Sequence, residues 1–263
     1  GINSIFSFDI TAADFDFEAD HIIGNYPLVY SSADALILTE NAWDSWWFWN
    51  SASSDEATNV HMFDISDAGS TEYVASGRID GTIQDQFSLS EYQGVIRLAS
   101  TEGQWGRWWL SDPEPMTSNV VTLQPTTDAA GHTTLEQIGI VEGIAPNETI
   151  WSARFVEDRA YIVTFENMDP LWTIDLSDPT NPIIMGELKI PGVSTYIHPI
   201  SENTLLTIGM GPADLDTGEG LDWSNIRLSL FDVSDFTNPL ETTTLTISPV
   251  EDENNPCWSW SNS

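Results

Sequence analysis

Three stretches of the chain repeat one pattern and decide its fold: FDISDAGSTEYVASGRIDG at residues 63–81, IDLSDPTNPIIMGELKIPG at 174–192 and FDVSDFTNPLETTTLTI at 231–247. A fainter copy, FDITAADFDFEADHIIG, occupies residues 8–24. The aspartates at the second position, Asp9, Asp64, Asp175 and Asp232, are 55, 111 and 57 residues apart. Since the middle interval is two periods, the spacing predicts a degenerate copy near residue 120, where VVTLQPTTDAAGHTTLEQIGIVEG fits without the aspartate.

Each repeat unit has the pattern of short β-strands. Apolar and polar residues alternate over short runs that are rich in β-branched and aromatic residues and end at Gly, Pro, Asn or Asp. The clearest unit predicts four strands, around residues 150–155, 160–165, 172–176 and 183–190. Four strands that recur about every 55 residues are typical of a β-propeller, in which each small sheet, or blade, buries its faces against its neighbours.

The repeat therefore predicts an all-β fold, a β-propeller of four-stranded antiparallel blades. Residues 1–263 form a single propeller domain or a fragment of one, with about four complete blades and a partial blade at each end. The predicted blades are 1–24 (partial), 25–80, 81–143, 144–192, 193–247 and 248–263 (the start of the next blade). Because a propeller closes by completing its ring, we expect a missing segment of a larger propeller, or a second copy of the chain, to cover the open ends.

The motifs SDPTNP and SDFTNP lie between the third and fourth predicted strands of their units. Asp and Asn side chains bond nearby backbone groups in turns, and Pro presets φ. We therefore interpret Asp175 and Asp232, just before these motifs, as acceptors that stabilise a turn rather than as reactive groups.

One long ordered run carries a family resemblance. The stretch IWSARFVEDRAYIVTFENMDPLWTIDLSDPTNPIIMGELKIPGVSTYIHPI (150–200), followed by LSLFDVSDFTNP (228–239), resembles the secreted β-propeller domain family that is distantly related to WD-repeat proteins. The resemblance is strongest over residues 143–239 and extends more weakly to the N-terminus. It implies a bacterial or archaeal propeller that is extracellular, on the cell surface or periplasmic, within a chain longer than this one. It carries over no catalytic residues.

The composition excludes several function classes. The chain has 41 Asp and Glu against 7 Lys and Arg, a formal net charge of −34. Nucleic acids and anionic membrane surfaces are met with positive charge, so neither is an expected partner. A hydrophobic fraction of 41% with 12 Trp excludes an intrinsically disordered chain, and no apolar run predicts a membrane span. We expect the charge on outer strands and loops, where it fits a salty, halophilic setting.

Ten of the twelve tryptophans are predicted on one face of the propeller. In an up-and-down blade, the loop between the second and third strands and the connection to the next blade emerge on the same side. The tryptophans in these two places are Trp43, Trp46, Trp47, Trp49, Trp105, Trp108, Trp109, Trp223, Trp258 and Trp260. Their rings either pack on one another and order the long loops, or form an aromatic surface that binds a glycan or a protein partner.

The acidic loop DLDTGEGLD, at residues 214–222, is a weaker candidate site. Its carboxylates, Asp214, Asp216, Glu219 and Asp222, have the ligand chemistry of a Ca²⁺ site. The loop lacks the glycine and the terminal glutamate that an EF-hand requires, and a solvated acidic loop is the alternative. The four histidines show no metal-ligand spacing, and no catalytic motif is present.

These observations favour a non-catalytic extracytoplasmic propeller that acts as a binding or assembly module through its tryptophan-rich face. Two alternatives stay open. One is a calcium-dependent propeller hydrolase of the lactonase or phosphatase type, which would need acidic side chains at the inner-strand mouths of several blades. Those positions hold mostly Ser, Tyr, Phe and Gln. The other alternative is a structural surface-layer or filament subunit.

Overall fold

The computed structural model describes residues 1–14, 16–24, 27–43, 56–67, 69–103, 115–165, 169–218 and 220–248. Within these ranges the chain is almost entirely β-structure: a two-stranded N-terminal sheet is followed along the chain by four larger antiparallel sheets, numbered 1 to 4. No helix in this part of the chain is long and apolar enough to cross a membrane.

The strands follow the chain order in every sheet. The N-terminal sheet contains β1 (Ile2–Ser7) and β2 (Glu18–Ile23). Sheet 1 contains β3 (Leu28–Ser31), β4 (Ala35–Trp43), β5 (Glu56–Asp64) and β6 (Glu72–Asp80). Sheet 2 contains β7 (Thr82–Ile83), β8 (Leu89–Tyr92), β9 (Val95–Glu102), β10 (Thr117–Thr127) and β11 (Thr133–Ile144). Sheet 3 contains β12 (Thr149–Val156), β13 (Arg159–Phe165), β14 (Asp169–Asp175) and β15 (Ile183–Ile190). Sheet 4 contains β16 (Val193–Ser201), β17 (Thr204–Met210), β18 (Ile226–Asp232) and β19 (Leu240–Ile247).

Each larger sheet is an antiparallel meander, which confirms the predicted blade architecture. Sheet 2 departs from the others because its first strand is broken: β7 and β8 pair with opposite ends of β9 and are separated by a 3₁₀ turn at Gln86–Ser88. Asp85 stabilises this break, since its Oδ1 accepts hydrogen bonds from the backbone N of Phe87 at 2.8 Å and of Ser88 at 3.1 Å. In sheet 3, β14 begins at Asp169, three residues before the predicted start of that strand.

The buried apolar side chains lie between successive sheets. One cluster joins sheets 1 and 2, a second joins Val120 of sheet 2 to Ile174 of sheet 3, and a third joins Tyr161 of sheet 3 to Phe231 of sheet 4. A small four-stranded sheet has two faces and no core of its own, so its neighbours supply the core. In the part of the chain that the structure describes, the sheets therefore form an unclosed arc of propeller blades.

Three of the repeat aspartates end the third strand of their sheet and hold the turn that follows, as predicted for Asp175 and Asp232. Asp64, Asp175 and Asp232 each accept a hydrogen bond from the backbone N two residues later, at 2.8 to 2.9 Å. The residue directly after each aspartate donates its N–H to the first turn of the same sheet. In sheet 2 the strand register places Pro125 at this position, and proline has no N–H to donate. The degenerate repeat thus lacks both the aspartate and the hydrogen bond.

The SDPTNP and SDFTNP turns also join one sheet to the preceding one. Thr122 Oγ1 in sheet 2 donates to the backbone O of Pro179, and Thr173 Oγ1 in sheet 3 donates to the backbone O of Phe236, both at 2.6 Å. A glycine is paired with each threonine on the neighbouring strand, which leaves room for the turn. The motif therefore stabilises its own turn and docks that turn on the preceding sheet.

A pH-dependent contribution is expected from Asp235 in the last of these turns. Its carboxylate accepts hydrogen bonds from Thr237 Oγ1 at 2.7 Å, Asn238 Nδ2 at 3.0 Å and the backbone N of Thr237 at 3.0 Å, and these bonds lower its pKa. A carboxylate whose pKa is lower in the folded state stabilises the fold above its unfolded pKa, and this contribution disappears as the pH falls through the folded pKa. We expect Asp235→Ala to reduce the free energy of unfolding near neutral pH, and the difference from wild type to shrink below about pH 4.

Urea unfolding of both proteins between about pH 6 and about pH 3 measures this difference. Asp80→Ala is the control, because Asp80 is exposed and its carboxylate has no hydrogen-bond partner among the described residues. An equal pH-dependent change in both variants would mean that general charge repulsion, and not the turn, is responsible.

Candidate functional site

The predicted tryptophan face lies mostly outside the described residues. Trp43 is the last residue of β4, so it precedes the loop in which it was predicted. Trp223 lies in the loop between β17 and β18 and is 73% exposed. The other eight are outside the described residues: Trp46, Trp47, Trp49, Trp105, Trp108, Trp109, Trp258 and Trp260. A shared tryptophan face stays a prediction.

The acidic loop between β17 and β18 uses its carboxylates for turns. The Asp214 carboxylate accepts from the backbone N of Asp216 at 2.8 Å, and the Asp222 carboxylate accepts from Asn225 Nδ2 at 2.5 Å. These hydrogen bonds are the largest causes that lower the pKa of Asp214 and Asp222. Glu219 is outside the described residues, and among those described no three His, Cys, Asp or Glu side chains are grouped to hold a metal ion. Calcium binding here stays a prediction.

A cavity that the sequence did not predict opens between the inner strands. It has a volume of about 320 Å³ and is lined by β3, by the 3₁₀ turn with β8, and by β12, so sheets 1, 2 and 3 each contribute. We call it the axial cavity. Three aromatic residues line it, Tyr30, Phe87 and Phe155, together with Ser90 and other polar groups. Arg154 is the cation among its lining residues, and none of these residues is acidic.

Aromatic contacts extend from the axial cavity to sheet 4. The Arg154 guanidinium carbon lies 5.3 Å from the centroid of the Phe87 ring. On sheet 4, Tyr196 meets Phe87 edge to face with a centroid distance of 5.3 Å, and it stacks on His198. These contacts join side chains from sheets 2, 3 and 4 and give the cavity a defined wall.

A second guanidinium lies behind the cavity wall. Arg97 is 4% exposed, its Nε donates to Ser90 Oγ at 2.9 Å, and its Nη1 donates to the backbone O of Glu157. Its guanidinium carbon lies 5.4 Å from the ring centroid of Phe155. Burial lowers the pKa of Arg97 to about 10, which still leaves it protonated at neutral pH. Within the described chain Arg97 forms no ion pair, although the nearby charges of Glu91 and Asp158 act on it.

The outward side of sheet 4 is a second candidate surface. In sheet 3, Val163 and Leu171 have no exposed surface because sheet 4 covers them. When the two sheets are aligned on their repeat aspartates, Ile208 of sheet 4 corresponds to Val163, and Leu228 corresponds to Leu171. Ile208 is 38% exposed. The described part of the chain thus leaves uncovered in sheet 4 the side that is covered in sheet 3.

Cross-strand pairing shows that this apolar side extends to the edge of sheet 4. Leu228 pairs with Leu245, and Ile226 pairs with Ile247. Leu245 is 57% exposed and Ile226 is 51% exposed. We call the set Ile208, Ile226, Leu228, Leu245 and Ile247 the open face.

Comparison with known proteins identifies the family. The model of the beta propeller domain family matches residues 1–255. The chain belongs to the beta propeller domain family. This beta propeller domain is 38% identical over 168 residues to the uncharacterized protein MJ1554 of Methanocaldococcus jannaschii, which covers 64% of this chain and 23% of that protein. It is 31% identical over 240 residues to an uncharacterized protein of Archaeoglobus fulgidus, covering 91% of this chain and 34% of that protein.

The beta propeller domain thus spans about a quarter to a third of the length of these curated relatives. Among solved structures it is similar to an ACO/RPE65 chimera, with a TM-score of 0.48 and 13% identity over 94% of this chain and 55% of that chain. It is also similar to a cobalt-substituted Synechocystis ACO, with a TM-score of 0.44 and 10% identity over 94% of this chain and 58% of that chain. At these TM-scores and identities, neither structure indicates a ligand or a reaction for this domain.

Proposed function

We propose that this beta propeller domain is a non-catalytic assembly module that acts outside the cytoplasm, and that a further sheet of the same kind covers its open face. The open face is the observation that carries the proposal. Burying one side chain of the size of Leu or Ile is worth about 1.5–3 kcal/mol relative to leaving it exposed. Several such residues on one sheet side therefore favour a covered state strongly.

The order of packing along the arc supports a sheet as the covering element. In sheets 1 to 3, one side of each sheet packs against the sheet that follows it in the chain. The open face is the corresponding side of sheet 4. The greater length of the archaeal relatives is compatible with further sheets of this kind.

The covering sheet would meet sheet 4 through an apolar contact. In sheet 3 the turn of the next sheet packs on Thr173 and Gly186. The Thr173 hydroxyl donates a hydrogen bond to this turn, and Gly186 has no side chain that would block it. The register places Leu230 and Thr243 at these two positions in sheet 4. Leu230 has no hydroxyl to donate, so apolar contact takes the place of that hydrogen bond.

The proposal includes a binding role for the tryptophan-bearing loops and a location outside the cytoplasm. Trp223 is exposed at the loop end of sheet 4 and gives a binding face at least one accessible ring. The net charge of −34 favours solubility in a salty medium, which is compatible with a site outside the cytoplasm.

Sedimentation velocity of the chain at increasing concentration tests the assembly proposal. Two copies repel one another through their charge, and this repulsion is screened in 1 M NaCl, where the Debye length is about 3 Å. We expect concentration-dependent association in 1 M NaCl through the open face. The double variant Ile226→Lys with Leu245→Lys is expected to stay monomeric under the same conditions.

The control variant places two lysines away from the open face. Ile183→Lys with Ile23→Lys changes residues that are 47% and 85% exposed, on β15 of sheet 3 and on β2 of the N-terminal sheet, and should associate like wild type. A wild-type chain that stays monomeric at all concentrations, or an open-face variant that associates equally well, would contradict the proposal.

A further inference from the structure

We propose that the axial cavity is a binding site for a small aromatic carboxylate, whose carboxylate is held by Arg154 and whose ring packs against Phe87 and Tyr30. This inference goes beyond the assembly function, because the axial cavity and the open face are different surfaces. It rests on the contacts that the Arg154 guanidinium makes and leaves open, on the charge of the residues that line the cavity and on the shape of the cavity walls.

Arg154 is available to an anion. Its guanidinium contacts the Phe87 ring, and within the described part of the chain it makes no hydrogen bond and no ion pair. Other arginines of the domain have carboxylate partners: Arg159 lies 3.8 Å from Glu202, and Arg227 lies 2.9 Å from Glu241. In a chain with 41 acidic residues, an arginine without a carboxylate at a cavity wall leaves its planar fork of donors for a ligand.

The charge around the cavity has the sign that an anion requires. Its lining residues include no Asp or Glu, although acidic residues outnumber basic ones by 41 to 7 in the chain. The buried guanidinium of Arg97 lies behind Ser90 and Phe155, which both line the cavity. A second positive charge thus lies behind the wall that carries Arg154, and the carboxylates of Glu91 and Asp158 near Arg97 partly offset it.

The walls favour a flat ring next to the anionic group. Tyr30, Phe87 and Phe155 line the cavity, and aromatic rings pack well against one another in offset or edge-to-face geometry. The volume of about 320 Å³ is at the lower end of the range for small-molecule sites. A single carboxylate suits the site better than a polyphosphate, because one accessible guanidinium offers a single bidentate contact.

Calorimetric titration of the full chain with 2-naphthoate tests the site. We expect saturable binding to wild type, and binding that is about tenfold to hundredfold weaker in Arg154→Gln, as for loss of a charge-assisted hydrogen bond. The neutral analogue 2-naphthylmethanol should bind weakly and equally to both proteins. Arg154→Lys should restore part of the affinity, since it keeps the charge and loses the bidentate geometry.

Two controls separate the axial cavity from general effects. Lys189→Gln removes one positive charge from an exposed side chain on β15 and should bind 2-naphthoate like wild type. The open-face variant Ile226→Lys with Leu245→Lys should also retain binding, so failure of the assembly proposal leaves this test intact. Absence of binding to wild type at millimolar 2-naphthoate, or equal affinity in Arg154→Gln and wild type, would overturn the proposal.

Discussion

Phe231→Ala is expected to lower the free energy of unfolding by about 3–5 kcal/mol, the usual range for a buried Phe. Phe231 has no exposed surface and lies with Tyr161 and Leu205 in the cluster that joins sheets 3 and 4. Its strand is paired on both sides, with Leu205 opposite on β17 and Glu241 opposite on β19. Because β18 cannot move inward without breaking these registers, the space left by the ring stays largely unfilled.

Urea unfolding followed by circular dichroism measures this loss. Phe6→Ala is the matched control, because Phe6 is 58% exposed on the N-terminal sheet. We expect the control to change the free energy of unfolding by less than about 1 kcal/mol. A loss at Phe231 no larger than that at Phe6 would mean that sheets 3 and 4 do not share a packed core.

Gly139→Ala is expected to cause the second large loss in the free energy of unfolding. A Cβ at this position would lie 2.3 Å from the backbone O of Pro179 and 2.9 Å from Thr122 Oγ1. The added methyl group must displace the SDPTNP turn and break the hydrogen bond between Thr122 and Pro179. Overpacking costs about 1–3 kcal/mol, and loss of the hydrogen bond adds about 1 kcal/mol. We therefore expect a loss of about 2–4 kcal/mol in the free energy of unfolding.

Gly211→Ala serves as the control for this substitution. A Cβ at Gly211 would meet only the Cδ atom of Arg227, at 4.0 Å, within the described part of the chain. Thermal or urea unfolding of both variants gives the comparison. If Gly139→Ala were as stable as Gly211→Ala, the turn would be free to shift and would not join sheet 3 firmly to sheet 2.

Much of the local structure was predictable because it depends on neighbours in sequence. Alternation of apolar and polar residues predicts strands, and β15 occupies the predicted residues 183–190. Asp175 and Asp232 bind backbone N–H groups two residues away, so a short motif is enough to predict their turns. The missing aspartate of the degenerate repeat was also visible, and Pro125, which has no N–H, accounts for the hydrogen bond that this repeat lacks.

The axial cavity was not predictable by the same reasoning. Tyr30, Phe87 and Arg154 are far apart in the chain and belong to three sheets, and no motif or spacing connects them. The cavity also depends on the break between β7 and β8 at Asp85, which interrupts the regular strand pattern. The sequence pointed to the cavity only weakly, through the scarcity of basic residues, of which Arg154 is one.

The sequence by itself determined the repeat, the four-stranded unit, the turns at the aspartates and the side of each strand that is apolar, because these properties arise from alternation and from contacts a few residues long. The tertiary structure decided which apolar sides are covered and which distant side chains meet. Val163 and Ile208 occupy the same repeat position, yet Val163 is fully buried and Ile208 is 38% exposed. Burial at this position depends on the next sheet in the arc, and that is a property of the assembled propeller.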